Sequence, residues 1–159
     1  MKTFAWLCCL FFSYSLFAES IAPAGCQPLP LSGESAILKA KKPKLIFIHN
    51  TSSENLWITH PVVEPSASAG WNSQLQAGNW SALVVNKGPF ALNCIESRPG
   101  HEQQVPCEGV MALCQWKQVK FPKESKTTFW AGENKTVPAL KTALGERGFV
   151  LKNAPNLAR

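Results

Sequence analysis

The stretch over residues 70–94, GWNSQLQAGNWSALVVNKGPFALNC, constrains the fold more than any other part of the sequence. Two apolar runs, residues 82–85 and 90–95, have the length and the β-branched or large apolar side chains of buried strands. Residues 86–89, Asn-Lys-Gly-Pro, form a short connection between these runs. The stretch therefore predicts the hairpin core of a β-rich fold.

Two tryptophans lie in this stretch. Trp71 and Trp80 each adjoin an asparagine close to a glycine, and Trp80 lies two residues before the first apolar run. Trp, Asn and Gly in this arrangement are typical of packing and turns, and the stretch contains no histidine, carboxylate or phosphate-binding glycine pattern. We expect both indoles to be core residues.

The N-terminus has the pattern of a secretory signal peptide over residues 1–18. Lys2 precedes an apolar run, residues 4–17, and small residues follow it, so cleavage is predicted after Ala18, with Ala24 as a later alternative. The run is shorter than the roughly 20 residues that span a bilayer. We expect an exported protein, periplasmic or secreted, with no permanent membrane anchor. A lipid-modified Cys26 is the alternative, which Pro23 disfavours.

Four cysteines remain after that signal: Cys26, Cys94, Cys107 and Cys114. An even number in an exported chain predicts two disulfides, and their spacing matches no zinc motif. Three pairings are possible. The turn at residues 98–101 folds Cys94 back towards Cys107 and favours Cys94–Cys107 with Cys26–Cys114, although the sequence alone leaves the pairing open.

The length after the signal fits one domain. Short apolar runs separated by turns predict an all-β, single-domain β-sandwich of about seven strands, Ig-like or similar, stapled by its disulfides. A proline at the start, a glycine at the end and two leucines on one face predict one short C-terminal helix over residues 138–144. We expect residues 19–44 to be an extended arm with little regular structure, residues 45–151 the sandwich, and residues 152–159 a flexible tail.

The composition excludes several function classes. The chain has no aspartate, which removes aspartic catalytic pairs and aspartate-rich calcium loops. The isoelectric point near 9.1 comes from scattered lysines, which cluster only at residues 39–44, so nucleic-acid binding is not expected. No nucleophile elbow, paired-carboxylate motif or HExxH string is present, and we predict neither enzymatic activity nor a cofactor.

Two histidines lie near one predicted hairpin. Residues 45–50 and 56–60 flank the polar segment 51–55, and their pairing would place His49 and His60 diagonally adjacent on one face. Both imidazoles would then reach one copper or zinc ion. No further metal ligand lies near them in sequence, so we expect hydrogen-bonded core histidines and no metal site.

The most polar segment in the middle of the chain is residues 96–102, ESRPGHE. His101 and Glu102 beside two cysteines would suit thiol chemistry, but cysteines paired in disulfides are not nucleophiles. We therefore predict a hairpin tip that contacts a protein partner through Arg98, His101 and Glu102.

Three stretches carry a resemblance to a known group: FIHNTSSENLWITHP (residues 47–61), SAGWNSQLQAGNWSALVVNK (68–87) and FALNCIESRPGHEQQVPCEGVMALC (90–114). Together with the export signal, they resemble the enhanced entry proteins of the EnhB type, which are small exported bacterial proteins. The resemblance implies an association with entry into host cells and with virulence, and it brings no catalytic residue or cofactor.

These observations predict an exported, non-enzymatic binding protein whose partner is a protein of the envelope or of the host surface. One alternative is a periplasmic inhibitor of a cell-wall-degrading enzyme, which would project residues 96–102 into a cleft. The other is a metal-binding envelope protein that uses His49 and His60.

Overall fold

The computed structural model describes residues 22–61, 72–123 and 127–152, and this part of the chain is mostly β-structure. Its strands are β1 (Cys26–Leu29), β2 (Ser35–Leu38), β3 (Lys44–Asn50), β4 (Asn55–Thr59), β5 (Asn72–Leu75), β6 (Trp80–Val85), β7 (Phe90–Arg98), β8 (His101–Val105), β9 (Met111–Trp116), β10 (Val119–Lys120), β11 (Phe129–Lys135) and β12 (Val150–Leu151). Its helices are α1 (Cys107–Val110) and α2 (Val137–Glu146).

Two antiparallel sheets form the body of the protein. The first sheet has the strand order β1-β9-β3-β6-β11, and the second has the order β2-β7-β4-β5, with β8 also pairing with β7. The short strands β10 and β12 form a separate ribbon. The predicted all-β fold is confirmed. The described residues contain more strands than the seven expected and one additional helix, because elements of two to four residues are too short to show a hydrophobic period.

The first sheet is the middle of three layers. Side chains on successive positions of a strand point to opposite faces, and β6 is buried at every position. Leu83 and Val85 pack towards the second sheet, whereas Trp80, Ala82 and Val84 pack towards α2 on the other side. A strand that is covered on both faces is apolar throughout, which explains the continuous apolar run.

Helix α2 covers the outer face of the first sheet. Leu140 and Leu144 are completely buried there, which confirms the predicted apolar face. The helix ends beyond the expected Gly145. Gly148, with φ +83°, forms the left-handed C-terminal cap, because its N–H donates to Gly145 and the N–H of Phe149 donates to the carbonyl of Leu144 at 3.0 Å.

Two predicted hairpins are wrong, because consecutive strands cross between the sheets instead of pairing. Residues 45–50 lie in β3, which pairs with β6 and β9, whereas β4 pairs with β5 and β7. Likewise, β6 belongs to the first sheet and β7 to the second. Residues 51–54 and 86–89 are therefore arches that join the two layers.

The amide of Asn50 holds the first arch in place. Its nitrogen donates to the carbonyls of Glu54 at 2.7 Å and Leu75 at 2.9 Å. Its oxygen accepts bonds from the N–H and the hydroxyl of Ser52, at 2.9 and 2.8 Å. Asn50 is completely buried, and these bonds use its whole hydrogen-bonding capacity. The arch thus depends on one side chain that no hydrophobic pattern reveals.

The N-terminal arm is more regular than expected. Within residues 22–44, β1 joins the edge of the first sheet beside β9, and β2 joins the second sheet beside β7. The disulfide Cys26–Cys114 links β1 to β9, and Cys94–Cys107 links β7 to the start of α1. Both favoured pairings are confirmed, and they indicate an oxidising, extracellular or periplasmic environment.

The predicted core position of Trp80 is confirmed, since only 5% of this residue is exposed. Trp71, the predicted signal peptide up to residue 18, and residues 153–159 of the predicted tail lie outside the described residues.

Candidate functional site

The β7–β8 hairpin lies in the second sheet, where β4 pairs with β7 as far as Ser97, so only the turn at residues 98–101 extends past β4. Cross-strand partners share a face of a sheet, and the partners on its inner face are, in order, Cys94 with Val105, Glu96 with Gln103, and Arg98 with His101. The first pair packs into the core between the sheets, whereas the last pair is exposed. The inner face thus turns from apolar to charged where it leaves the core. We call residues 96–103 the hairpin tip.

Arg98 is the only cation of the hairpin tip, and it lies between two carboxylates. Its Nη2 is 3.5 Å from Oε2 of Glu96 and 3.8 Å from Oε1 of Glu54, which belongs to the arch between β3 and β4. The Arg98 side chain is 58% exposed, so each ion pair contributes at most about 1 kcal/mol to stability. These contacts orient the guanidinium and leave much of it accessible to a partner.

The three predicted site residues, Arg98, His101 and Glu102, all line one open depression of about 600 Å³ around the turn. Arg98 and His101 are also paired on the inner face, beside a smaller depression of about 250 Å³ that Glu96 and Gln103 complete. Glu102 pairs with Ser97 on the opposite face of the strands and does not line this smaller depression.

The sequence placed Glu96 in the polar segment 96–102 without assigning it a role, and it gave no prediction for Gln103 or Glu54 at this surface. The two-residue period of the hairpin could have placed Glu96 and Gln103 on the inner face, because they lie two positions from Arg98 and His101. Nothing in the sequence indicated that Glu54 lies near the tip, because this contact depends on the arch.

The base of the hairpin tip is covalently fixed. Cys94 and Cys107, both completely buried, close a loop with a sequence separation of 13 around the tip. Pro99 and Gly100 form the turn itself. A disulfide at the base and a tight turn at the end restrict the backbone, so the tip loses little conformational entropy when it binds a partner.

His49 lies in the first sheet, on the face that packs against α2. Its ring stacks on Trp80 with centroids 4.2 Å apart and an interplanar angle of 6°. Burial lowers the pKa of His49 below its usual 6.5, and a hydrogen bond with the backbone of Gly78 offsets part of that shift. Its Nδ1 is buried without a hydrogen-bond partner among the described residues, so a proton there would be unpaired. His49 is therefore a neutral packing residue at pH 7.

His60 lies on the second sheet, where it follows β4. Its Nδ1 is 2.7 Å from the carbonyl oxygen of Ala91, and its ring stacks on Phe90 at 4.1 Å. The hairpin that would bring His49 and His60 together does not form, so the predicted diagonal pair is wrong. No group of three or more His, Cys, Asp or Glu side chains suited to a metal occurs within residues 22–61, 72–123 and 127–152.

Comparison with known proteins identified no matching family model, no similar curated protein and no similar solved structure. Among the helices of the described residues, none is long and apolar enough to cross a membrane.

Proposed function

We propose that the protein is an exported, non-enzymatic binding protein that contacts a protein partner through the inner face of the hairpin tip. The observation that carries this proposal is the exposed guanidinium of Arg98 at the turn of a hairpin whose base is fixed by Cys94–Cys107. Arginine is over-represented among the residues that dominate binding energy at protein interfaces. Export is supported by the N-terminal sequence and by the two disulfides.

The partner is a protein of the bacterial envelope or of the host surface. The resemblance to enhanced entry proteins supports a host-surface partner and a role in host-cell entry. The polar depression beside Arg98 and His101 suits a partner that presents neutral acceptors such as carbonyl oxygens, because the guanidinium can donate to them while Glu54 and Glu96 already balance its charge.

A second candidate function is inhibition of an enzyme that degrades the cell wall. The observation that favours it is the restraint of the hairpin tip, an exposed turn whose strands are paired up to the turn and joined near their base by a disulfide. Preorganised loops of this kind insert into catalytic clefts with little reorganisation. Both candidates use the same surface, so one set of variants serves for both.

The test compares Arg98→Glu with a matched control, Lys120→Glu, which makes the same charge change at an exposed position on β10. The oxidised proteins are immobilised and exposed separately to envelope extract and to host-cell lysate. Replacement of an interface arginine should weaken capture of a specific partner by about thirtyfold, whereas Lys120→Glu should retain it. Both variants should unfold within about 5 °C of the wild-type temperature, because the lost ion pairs of exposed Arg98 and the repulsion of a new carboxylate by Glu54 and Glu96 each cost at most about 1 kcal/mol.

Three results separate the possibilities. An inhibitor would be identified if Arg98→Glu lost its partner from envelope extract and if that extract hydrolysed peptidoglycan faster with Arg98→Glu than with wild-type protein. Loss of capture from host lysate alone would favour the entry role. Equal capture by Arg98→Glu and wild type would refute the assignment of the inner face, and a Glu102→Ala variant would then show whether the outer face binds instead.

A further inference from the structure

A cleft lies at the opposite end of β7 from the hairpin tip. It has a volume of about 370 Å³ and runs beside the edge strand β2, between that strand and the segment that follows β1. Its floor consists of core side chains from both sheets, namely Leu38, Ile46, Val85 and Leu113. The volume lies within the range of small-molecule binding sites, which are typically about 300–1,000 Å³ and lined mainly by apolar groups.

The rim of the cleft adds apolar surface that is exposed. Ile37 on β2 is 62% exposed and is the most exposed large hydrophobic residue of the described chain. Leu29 and Leu31 line the opposite side and are only partly buried. An accessible apolar rim that continues into a core-lined floor would favour a ligand with a hydrocarbon chain.

One end of the cleft is strongly basic. Lys39 and Lys44 line it, and both also line an adjoining depression that Lys41 and Lys42 complete. Nζ of Lys44 donates to the carbonyl of Lys39 at 2.8 Å, which holds its ammonium group at the mouth with two donors to spare. Among the described residues, no acidic side chain lines either the cleft or the depression.

The turn that carries Gly88 packs closely against this lysine run. The N–H of Gly88 donates to the carbonyl of Ala40 at 3.0 Å, and a Cβ at this position would lie 2.7 Å from the carbonyl oxygen of Leu38. Only glycine allows this approach. The lysine run is thereby fixed against the β6–β7 arch instead of forming a free loop.

A carboxylate lies close to the other end of the cleft. Glu108 of α1 accepts a hydrogen bond from the N–H of Gly33 at 2.9 Å, next to Ser32, which lines the cleft. The charge therefore changes from positive to negative along the cleft. An anionic group is favoured only at the lysine end, and this gradient fixes the direction in which an elongated ligand would lie.

We propose that this cleft binds a single-chain amphiphile that has an anionic head group, with the head group on Lys39 and Lys44 and the hydrocarbon chain over Ile37 and the core floor. The apolar floor and the concentrated positive charge match the two parts of such a molecule. This site is separate from the hairpin tip and does not depend on the role proposed for Arg98.

The test is isothermal titration of the oxidised protein with dodecanoate below its micelle concentration. Dodecanol, which lacks the charge, and acetate, which lacks the chain, are titrated in parallel. Dodecanoate should bind at least about tenfold more tightly than either, because each lacks one of the two interactions. The Lys39→Gln/Lys44→Gln variant should bind dodecanoate about tenfold more weakly, and Ile37→Glu should lose binding.

The matched control is Lys117→Gln/Lys120→Gln, which removes exposed Lys120 on β10 and exposed Lys117 just before that strand, and it should bind dodecanoate as wild type does. Because Ile37 and the control lysines are exposed, these variants should fold normally, which circular dichroism checks. The proposal would be overturned if wild-type protein bound dodecanoate and dodecanol with equal affinity, or if it did not bind dodecanoate. It would also be overturned if the two double-lysine variants lost dodecanoate affinity equally. Binding to anionic phospholipid vesicles or to hexaglutamate without binding to dodecanoate would also overturn it, since either shows a charged surface only.

Discussion

Replacement of Trp80 by alanine should be among the most destabilising single changes in this protein. Trp80 is 5% exposed, stacks on His49 at 4.2 Å and contacts the edge of Phe47 with ring centroids 6.4 Å apart. Truncation of a buried tryptophan costs about 3–5 kcal/mol. Two aromatic contacts, each worth about 0.5–1.5 kcal/mol beyond burial, place the expected loss in the upper half of that range.

A loss of about 4–5 kcal/mol corresponds to a decrease in melting temperature of roughly 12–20 °C for a domain of this size. The measurement is urea and thermal unfolding followed by far-UV circular dichroism at pH 7.5. The matched control is Trp57→Ala, because Trp57 alternates with the buried Leu56 and Ile58 on β4 and is only half-buried. This control should lose no more than about 2 kcal/mol, in proportion to the smaller apolar area that it buries.

Equal destabilisation by the two tryptophan replacements would refute the reasoning, because the layer between the first sheet and α2 would then contribute no more than the outer face of the second sheet. Normal stability of the Trp80→Ala variant would refute it as well. If that variant also lost the partner captured by the wild type, the aromatic stretch and not the hairpin tip would form the binding surface.

Two further predictions concern cysteine and histidine chemistry. Denatured but unreduced protein should show no reactive thiol at Cys26, Cys94, Cys107 or Cys114. Urea unfolding should show that removal of Cys26–Cys114 lowers the free energy of unfolding by about 4–5 kcal/mol, and removal of Cys94–Cys107 by about 3 kcal/mol, since the first disulfide closes the longer loop. Stability should also fall as the pH decreases below about 6.5, because the unfolded chain binds a proton that buried His49, with its lowered pKa, does not. The difference between the urea midpoints at pH 7.5 and pH 5.8 measures this loss of stability. If a His49→Gln variant shows the same difference as the wild type, His49 is not its cause.

The sequence predicted those features that depend on local chemistry. The apolar spacing of Leu140 and Leu144 predicted the α2 face, and the Pro99-Gly100 turn predicted which cysteine pairs with Cys94. Both depend on residues that are close in the chain, where spacing and turn preference act directly.

The arches could not be predicted in the same way. An apolar run, a short polar connection and a second apolar run fit either a hairpin or a crossing between sheets, because both bury the same side chains. The choice at residues 51–54 depends on the four hydrogen bonds of Asn50, one of which goes to Leu75 in another strand. Local pattern contains no information about such a distant partner, and the contact of Glu54 with Arg98 was missed for the same reason.

The nested order of the disulfides has a consequence for biogenesis. Of the four cysteines that form disulfides, Cys26 is the first in the chain and its partner Cys114 is the last. The Cys94–Cys107 bridge therefore lies entirely within the loop that Cys26–Cys114 closes. An oxidase that joins cysteines in the order in which they emerge during translocation would first link Cys26 to Cys94, which leaves Cys107 to pair with Cys114. Both bridges would be non-native, and β1 could not then reach its place beside β9. If the cysteines are joined in that order, the native pairing requires thiol–disulfide exchange, and we expect the yield of protein with both native bridges to rise when a disulfide isomerase is supplied.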